Sequence, residues 1–276
     1  MNLDFLSDAN SAAWLRQRML YLTRGGSHSY GTSTPSSDVD LRGIAAAPRE
    51  IVLGFSQGFQ QLQLDVPDVL VLELRRFFAL AADAQAWALE QLFVHPDDVL
   101  LMTPIAEELI AARQLFLSRK VRHTFSGYAM AQLKRLRAHH RWIVAPPAAT
   151  DPDRKSYEQW KSQRNPKRAA LEDRFGYDSK FAMHIVRLLR MAHETLRGDG
   201  LIVRRPDAAE LLSIRDGAWS FEQLDAWAVE QDQQLAQQEQ SSPLPHSPDR
   251  EALTDLCCKL VEKTLLLPTP LPRVVR

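Results

Sequence analysis

Apolar positions follow two different periods along this chain. Helical spacing runs from Ala9 to about Met19, and the apolar run LYLT at 20–23 predicts a short buried strand leading into Gly25 and Gly26. After that turn, DVDLRGIAAA from Asp38 alternates as a strand, DVLVLEL from Asp68 reads as another, and helical spacing resumes near Arg75. Further on, GYAMAQLKRLRAHHRWI and DSKFAMHIVRLLRMAHETLR repeat apolar residues at helical intervals, and strand-like runs become scarce. The pattern predicts an α+β chain, with helices and strands mixed over residues 1–112 and an almost wholly helical part over 113–276. VAPPAATDPD at 144–153 and SSPLPHSPD at 241–249 predict loops between helices, and the glutamine-rich EQDQQLAQQEQ predicts the exposed end of a helix. No internal repeat recurs at a fixed period.

Composition narrows the class without naming a function. The 276 residues are 45% apolar and 25% charged, the balance of an ordinary globular protein with a sizeable core. No uninterrupted apolar run reaches membrane-spanning length, and MNLDFLSDANSAAWL lacks the basic-then-apolar order of a secretory signal, which predicts a cytoplasmic protein with no membrane partner. Cys257 and Cys258 are adjacent on a predicted helix, where neighbouring side chains diverge, so they read as reduced and inert. Lys plus Arg and Asp plus Glu balance at 34 each, but residues 119–168 hold 13 basic against 3 acidic side chains. A solvated face explains such a run; so does a grip on a nucleic-acid backbone.

The densest chemistry lies in GGSHSYGTSTPSSDVDLRG at 25–43. Asp38 and Asp40 at i and i+2 of a strand would project from one face, and two anions held so close call for a cation between them. Magnesium, with manganese as the substitute, takes carboxylates and substrate phosphates as ligands, and in a two-metal arrangement activates the attacking hydroxyl and stabilises the leaving pyrophosphate. Gly25, Gly26 and Ser27 allow backbone to approach an anion closely, and a short helix starting in SHSYG would aim N–H groups at a triphosphate. A glycine turn in a hairpin with two solvated aspartates is the plain alternative.

GSHSYGTSTPSSDVDLRG resembles the GS-x-x-x-G and Asp-x-Asp signature of the DNA-polymerase-beta nucleotidyltransferase superfamily, and more narrowly its RNA-repair-pathway branch. The resemblance runs over about residues 13–260 and includes Asp68, Glu90 and the helix carrying Lys180, His184 and Arg187. It departs at Gln85 and Ala86, where the family usually has Asn-Pro. It implies a mixed sheet flanked by helices, followed by a mainly helical domain that completes the cleft and binds the acceptor. It also implies metal held by Asp38, Asp40 and a third carboxylate, for which Asp68 is the choice and Glu73 the reserve; either could instead cap the following helix. Gly26 and Ser27 would line the nucleotide site; His28 would reach a phosphate or stabilise the turn, Arg42 would approach a phosphate or stand as an ordinary surface arginine, and Tyr30 would pack.

Lys180, His184 and Arg187 follow i, i+4, i+7 spacing along one line of a helix, bordering Phe181, Ile185, Leu188 and Ala192. Such a line is a solvated rim or, given the resemblance, a set of contacts to triphosphate oxygens. HHRWIV and RKSYEQWKSQRNPKR interleave aromatic and basic residues, which suits stacking on single-stranded RNA as well as helix packing. The expected protein transfers a nucleoside monophosphate from an NTP, with pyrophosphate release, to an RNA 3′ hydroxyl. A protein or small-molecule acceptor, or a catalytically silent nucleotide-binding module, are the alternatives. The sequence is silent on the NTP preferred, on template use and on oligomeric state.

Overall fold

The computed structural model describes residues 14–55 and 58–266. Along the chain run β1 (Met19–Gly25), α1 (Gly26–Tyr30), β2 (Asp40–Ala45), α2 (Arg49–Leu53), β3 (Gln61–Asp65), β4 (Asp68–Glu73), α3 (Leu74–Ala82), α4 (Ala86–Gln91), β5 (Val99–Met102) and α5 (Pro104–Ala111). The helices α6 (Gly127–Val144), α7 (Arg154–Gln163), α8 (Pro166–Phe175), α9 (Ser179–Arg197), α10 (Ala208–Arg215), α11 (Phe221–Ser241) and α12 (Arg250–Leu266) follow. The α+β class expected from the sequence is the one observed.

Two compact units form. Among the described residues, the first comprises those up to 120 together with 199–206 and those from 244 on; the second comprises 121–198 and 207–243. The chain thus leaves the second unit and returns to the first twice. Among the described residues, no helix is long and apolar enough to cross a membrane.

The first unit is built on a five-stranded mixed sheet in the order β3-β4-β2-β1-β5, in which only the β2–β4 pair is parallel. Leu15, Met19, Leu22, Leu41, Val69 and Val71 form a buried cluster against it. Apolar alternation drives β1, β2 and β4 into the sheet centre, where branched and aromatic side chains pack on neighbouring strands. The edge strand β3, QLQLD, has only two apolar residues in five and did not stand out from its surroundings; nor did the four-residue β5. Helix α3 begins where Glu73 accepts hydrogen bonds from the backbone N–H groups of Arg75 and Arg76, a charged N-cap worth about 1 kcal/mol.

Two expectations require correction. Of the helix predicted over Ala9–Met19, residues 9–13 lie outside the described residues, while 14–18 form a turn in which the Trp14 carbonyl accepts from the Gln17 and Arg18 N–H groups. Arg18 is buried there and donates to the carbonyls of Ala46 at 2.9 Å and Thr264 at 2.7 Å, bonds that hold the chain at the entrance to β1. The second correction concerns Asp38: β2 begins at Asp40, so the alternation argument does not reach Asp38. Strand β1 ends at Gly25, whose ladder partner is Asp40, and residues before Asp40 have no strand to pair with.

In the second unit, α9 is the central helix, packed by α6, α8, α10 and α11. Its apolar stripe, including Met183, Ile185, Val186, Leu189 and Leu196, is buried. Asp178 caps its start by accepting from the Phe181 N–H, and Gly198 ends it in the left-handed region at φ 94°. Loops occupy 145–153 and 242–249, and the glutamine-rich tract lies on the last turns of α11, largely exposed, as the sequence predicted.

Candidate active site

The site of the first unit forms where β1 runs directly into α1. Gly25 caps α1 without a side chain, so the cap residue itself supplies no side-chain oxygen to the first N–H groups of the helix. Gly26 holds φ 58°, a left-handed conformation that L side chains rarely adopt, and a Cβ there would fall 1.7 Å from Asp40 Oδ2. The Asp40 carboxylate therefore lies directly on the Gly26 backbone, and only glycine admits that approach. Gly31, at φ 73°, closes the helix. Ser29 Oγ donates to the Gly26 carbonyl at 3.0 Å, and Thr32 N–H to the Ser27 carbonyl at 2.9 Å, which fixes the loop's shape from within.

A second layer holds α1 in place. The phenol of Tyr30 donates to Glu90 Oε2 at 2.6 Å in a buried hydrogen bond, and the Arg205 N–H donates to the Tyr30 carbonyl at 3.0 Å. Tyr30, expected only to pack, is a polar anchor. Glu90 sits on α4, entered by a turn in which Ala84 takes φ 54°, so the stretch without Asn-Pro still delivers Glu90 to Tyr30. Ser27 and His28 are part-buried in α1, and the His28 Nε2 is buried with no hydrogen-bond partner.

Asp40 and Asp68 open two neighbouring parallel strands, since Leu41 pairs with Val69 in the β2–β4 ladder. Their side chains come within hydrogen-bond reach of each other. Arg42, two residues along β2 and on the same face, donates to Asp68 through Nη1 at 2.8 Å and Nη2 at 3.4 Å. Burial pushes the Asp68 carboxyl up, but the hydrogen bond and charge of Arg42, joined by the hydrogen bond from Asp40, outweigh it and hold Asp68 below the ordinary carboxylate range. Asp38 is exposed in the segment before β2. Glu73 lies at the far end of β4, is 3% exposed, and is committed to capping α3 and pairing with Arg75 at 3.2 Å.

Among the described residues, no group of three or more His, Cys, Asp or Glu side chains is assembled to hold a metal ion. Asp40 and Asp68 nonetheless form an all-oxygen donor pair beside a glycine cradle, the ligand chemistry that magnesium prefers.

In the second unit, Lys180 and His184 are part-buried on α9 and Arg187 is 6% exposed, deeper than the rim position its spacing predicted. Burial above all, and then the charges of Arg187, Lys180, Arg168 and Arg215, depress the His184 pKa well below 6.5, so the ring is neutral at pH 7. Arg168 on α8 and Arg215 at the end of α10 are cations that the α9 pattern alone could not disclose. Arg168 at least stood in the basic run; Arg215 joins through tertiary packing, its carbonyl accepting from Ser179 Oγ at 2.6 Å.

The chain shares 38% identity over 85 residues with an uncharacterized 38.9 kDa protein in the nrdC-mobD intergenic region of Enterobacteria phage T4, a match covering 27% of this chain and a quarter (25%) of that relative's length. Residues 5–259 match the RNA repair pathway DNA polymerase beta family as a whole. A continuous match over most of the chain, joined to a glycine cradle facing a strand-borne aspartate in a mixed sheet, places the protein in the RNA repair pathway DNA polymerase beta family, a branch of the polymerase-beta nucleotidyltransferases.

Proposed function

We propose that this protein is a metal-dependent nucleotidyltransferase that moves a nucleoside monophosphate from an NTP to the 3′ hydroxyl of an RNA, releasing pyrophosphate. One observation carries the reading: Asp40 and Asp68 open adjacent parallel strands, with the Asp40 carboxylate seated on the backbone of Gly26. That arrangement sets carboxylate oxygens beside backbone that a phosphate can approach closely. Magnesium, or manganese in its place, would be held by Asp40 and Asp68 with Asp38 joining from the preceding loop. Bound there, the metal supplies Lewis-acid activation of the acceptor hydroxyl and charge neutralisation at the leaving phosphates.

The chain's own residues then have distinct tasks. Gly26 and Ser27 present backbone to the phosphates. The orphaned His28 Nε2 is a further polar contact for them, and Arg42 orients Asp68 while adding positive charge. Lys180, His184 and Arg187 on α9, with Arg168 and Arg215, form a cationic cluster suited to phosphate oxygens; the neutral His184 serves there as a hydrogen-bonding group. The acceptor is assigned to RNA from the family membership and the basic 119–168 run.

The test is an acceptor survey. Full-length protein, magnesium and each α-labelled NTP are incubated with cellular RNA or with protein, alongside Asp40→Asn and Asp68→Asn. Label entering RNA and absent with both variants supports the proposal. Label entering protein moves the acceptor, and NTP binding without transfer refutes the enzyme.

A further inference from the structure

The second unit contains a cavity of about 600 Å³, within the range of small-molecule and nucleotide sites, and Arg168 is the one side chain of its lining to which the proposed cationic cluster assigns a task. Its wall joins the two stretches that interleave aromatic and basic residues, one on α6 and one on α7 and α8. His139 stacks on Trp142 with ring centroids 5.6 Å apart at 25°, and leans on Trp160 at 5.2 Å. The Arg164 guanidinium lies 4.8 Å over the Trp160 ring, and Arg168 lies 3.9 Å over Phe181.

The polar groups sort into those already satisfied and those that are not. The buried acids of the wall are neutralised, Glu172 by Arg164 at 2.7 Å and Asp178 by Arg168 at 2.9 Å, so neither repels an incoming anion. Two groups remain. The indole N–H of Trp142, a side chain 8% exposed, is buried with no hydrogen-bond partner. Arg135 is exposed at the cavity with no ion-pair partner among the described residues. Burial foremost, and then the Arg135 charge, lower the His139 pKa to about 4, so at neutral pH this face is an uncharged ring.

We infer that this cavity binds an unpaired nucleobase of an RNA strand, stacked on the Trp160–His139 face with an edge acceptor on the Trp142 N–H and the adjoining phosphate on Arg135. An aromatic face of inclined rings, an orphaned donor and an uncompensated guanidinium together match a base with its phosphate, and they suit neither an apolar ligand nor a bare anion. This deepens the proposed function by locating acceptor binding, and it rests on that reading for the identity of the strand.

Binding is measured on the full-length Asp40→Asn variant without NTP or metal, so the outcome does not depend on transfer. The probes are fluorescein-labelled ten-nucleotide oligoadenylate RNA, a blunt RNA duplex of equal length, and AMP as competitor. The single strand is expected to bind more tightly than the duplex, and adding Trp160→Ala to weaken it by roughly five- to a hundredfold. Because Trp160 also packs α7, Arg135→Gln provides a second reading at an exposed side chain: weaker binding, with the log affinity–log salt slope shallower by about 0.7. Unchanged binding in both variants overturns the inference, as does a duplex that binds equally well. AMP saturating the cavity while the single strand fails to bind overturns the strand as its source. Oligonucleotide binding lost on these substitutions upholds the site even if the acceptor survey finds no labelled RNA. Transfer to RNA that persists with unaltered binding sinks the site and leaves the enzyme standing.

Discussion

Replacing Gly26 with alanine separates folding from chemistry at the site. The new Cβ would fall 1.7 Å from Asp40 Oδ2 and 2.9 Å from Asp40 Cγ. Those atoms end a side chain that can rotate, so the overlap is relieved if the carboxylate retreats by roughly 1.5 Å to van der Waals distance. The backbone keeps a residual cost, because φ 58° disfavours an L side chain by about 1–2 kcal/mol, partly offset by a less flexible unfolded chain. Net destabilisation of about 1 kcal/mol lowers Tm by about 2 to 4 °C. The carboxylate is displaced by more than an ångström from its place beside Asp68, and misplacement on that scale costs on the order of 100-fold in rate. Thermal unfolding monitored by circular dichroism and NTP-dependent labelling of RNA, run on the same preparation, should show a near-normal melt and a rate down about 100-fold. Gly25→Ala is the control, since its Cβ would meet the flexible Arg42 side chain at 2.9 Å, and its rate should stay within about tenfold of wild type. A Gly26→Ala protein that transfers at the wild-type rate would refute the claim that Asp40 works from its seat on this backbone.

Three further outcomes are expected. Asp68→Asn gives up the bidentate contact with Arg42, but at 47% side-chain exposure of Asp68 that pair contributes at most about 1 kcal/mol; denaturant melts should barely move while labelling of RNA is lost, and a retained rate would remove Asp68 from the metal site. Tyr30→Phe takes the phenolic donor from the buried Glu90 carboxylate and should cost about 1–3 kcal/mol in urea unfolding, a cost near zero showing that α1 is held by other contacts. His139, with its pKa lowered to about 4, contributes stability that is complete above its unfolded value of about 6.5 and is lost as pH falls toward 4. Glu172, whose carboxyl is raised chiefly by burial, opposes that trend at the acid end. Proton NMR should place the His139 midpoint near 4, and His139→Gln should flatten the stability profile between pH 6.5 and 4; a midpoint near 6.5 would contradict the buried, cation-flanked setting.

The parts of the site that were legible in the sequence are those where local geometry leaves one solution. Gly26 and Asp40 are close in sequence, Gly26 directly follows the ladder partner of Asp40, and a backbone that tolerates a carboxylate at such range demands glycine. Asp68 joins them through the parallel β2–β4 pairing, whose register offset of 28 residues (Leu41 with Val69) periodicity does not encode; only the family resemblance points to it. Asp38 shows the converse failure, an alternating pattern without a partner strand to make it a strand. The edge strands β3 and β5 were missed because one alternates weakly and the other is only four residues long. The helical periodicity of α9 predicted its buried stripe, but Arg215 reaches His184 only because α10 packs on α9. Likewise, nothing local in 199–206 or 244–266 marks those segments as returning to the first unit, since that choice is made by packing: Arg119 donates to the Leu244 carbonyl, and Arg204 pairs with Asp98.

The most direct measurement follows two labels through one reaction. With magnesium, an RNA carrying a free 3′ hydroxyl, and NTP labelled at either the α or the γ phosphate, nucleotidyl transfer at Asp40 predicts that α label enters RNA while γ label leaves as pyrophosphate in equal amount, both abolished by Asp40→Asn. Label entering RNA from the γ position, or α transfer undiminished in Asp40→Asn, would contradict it.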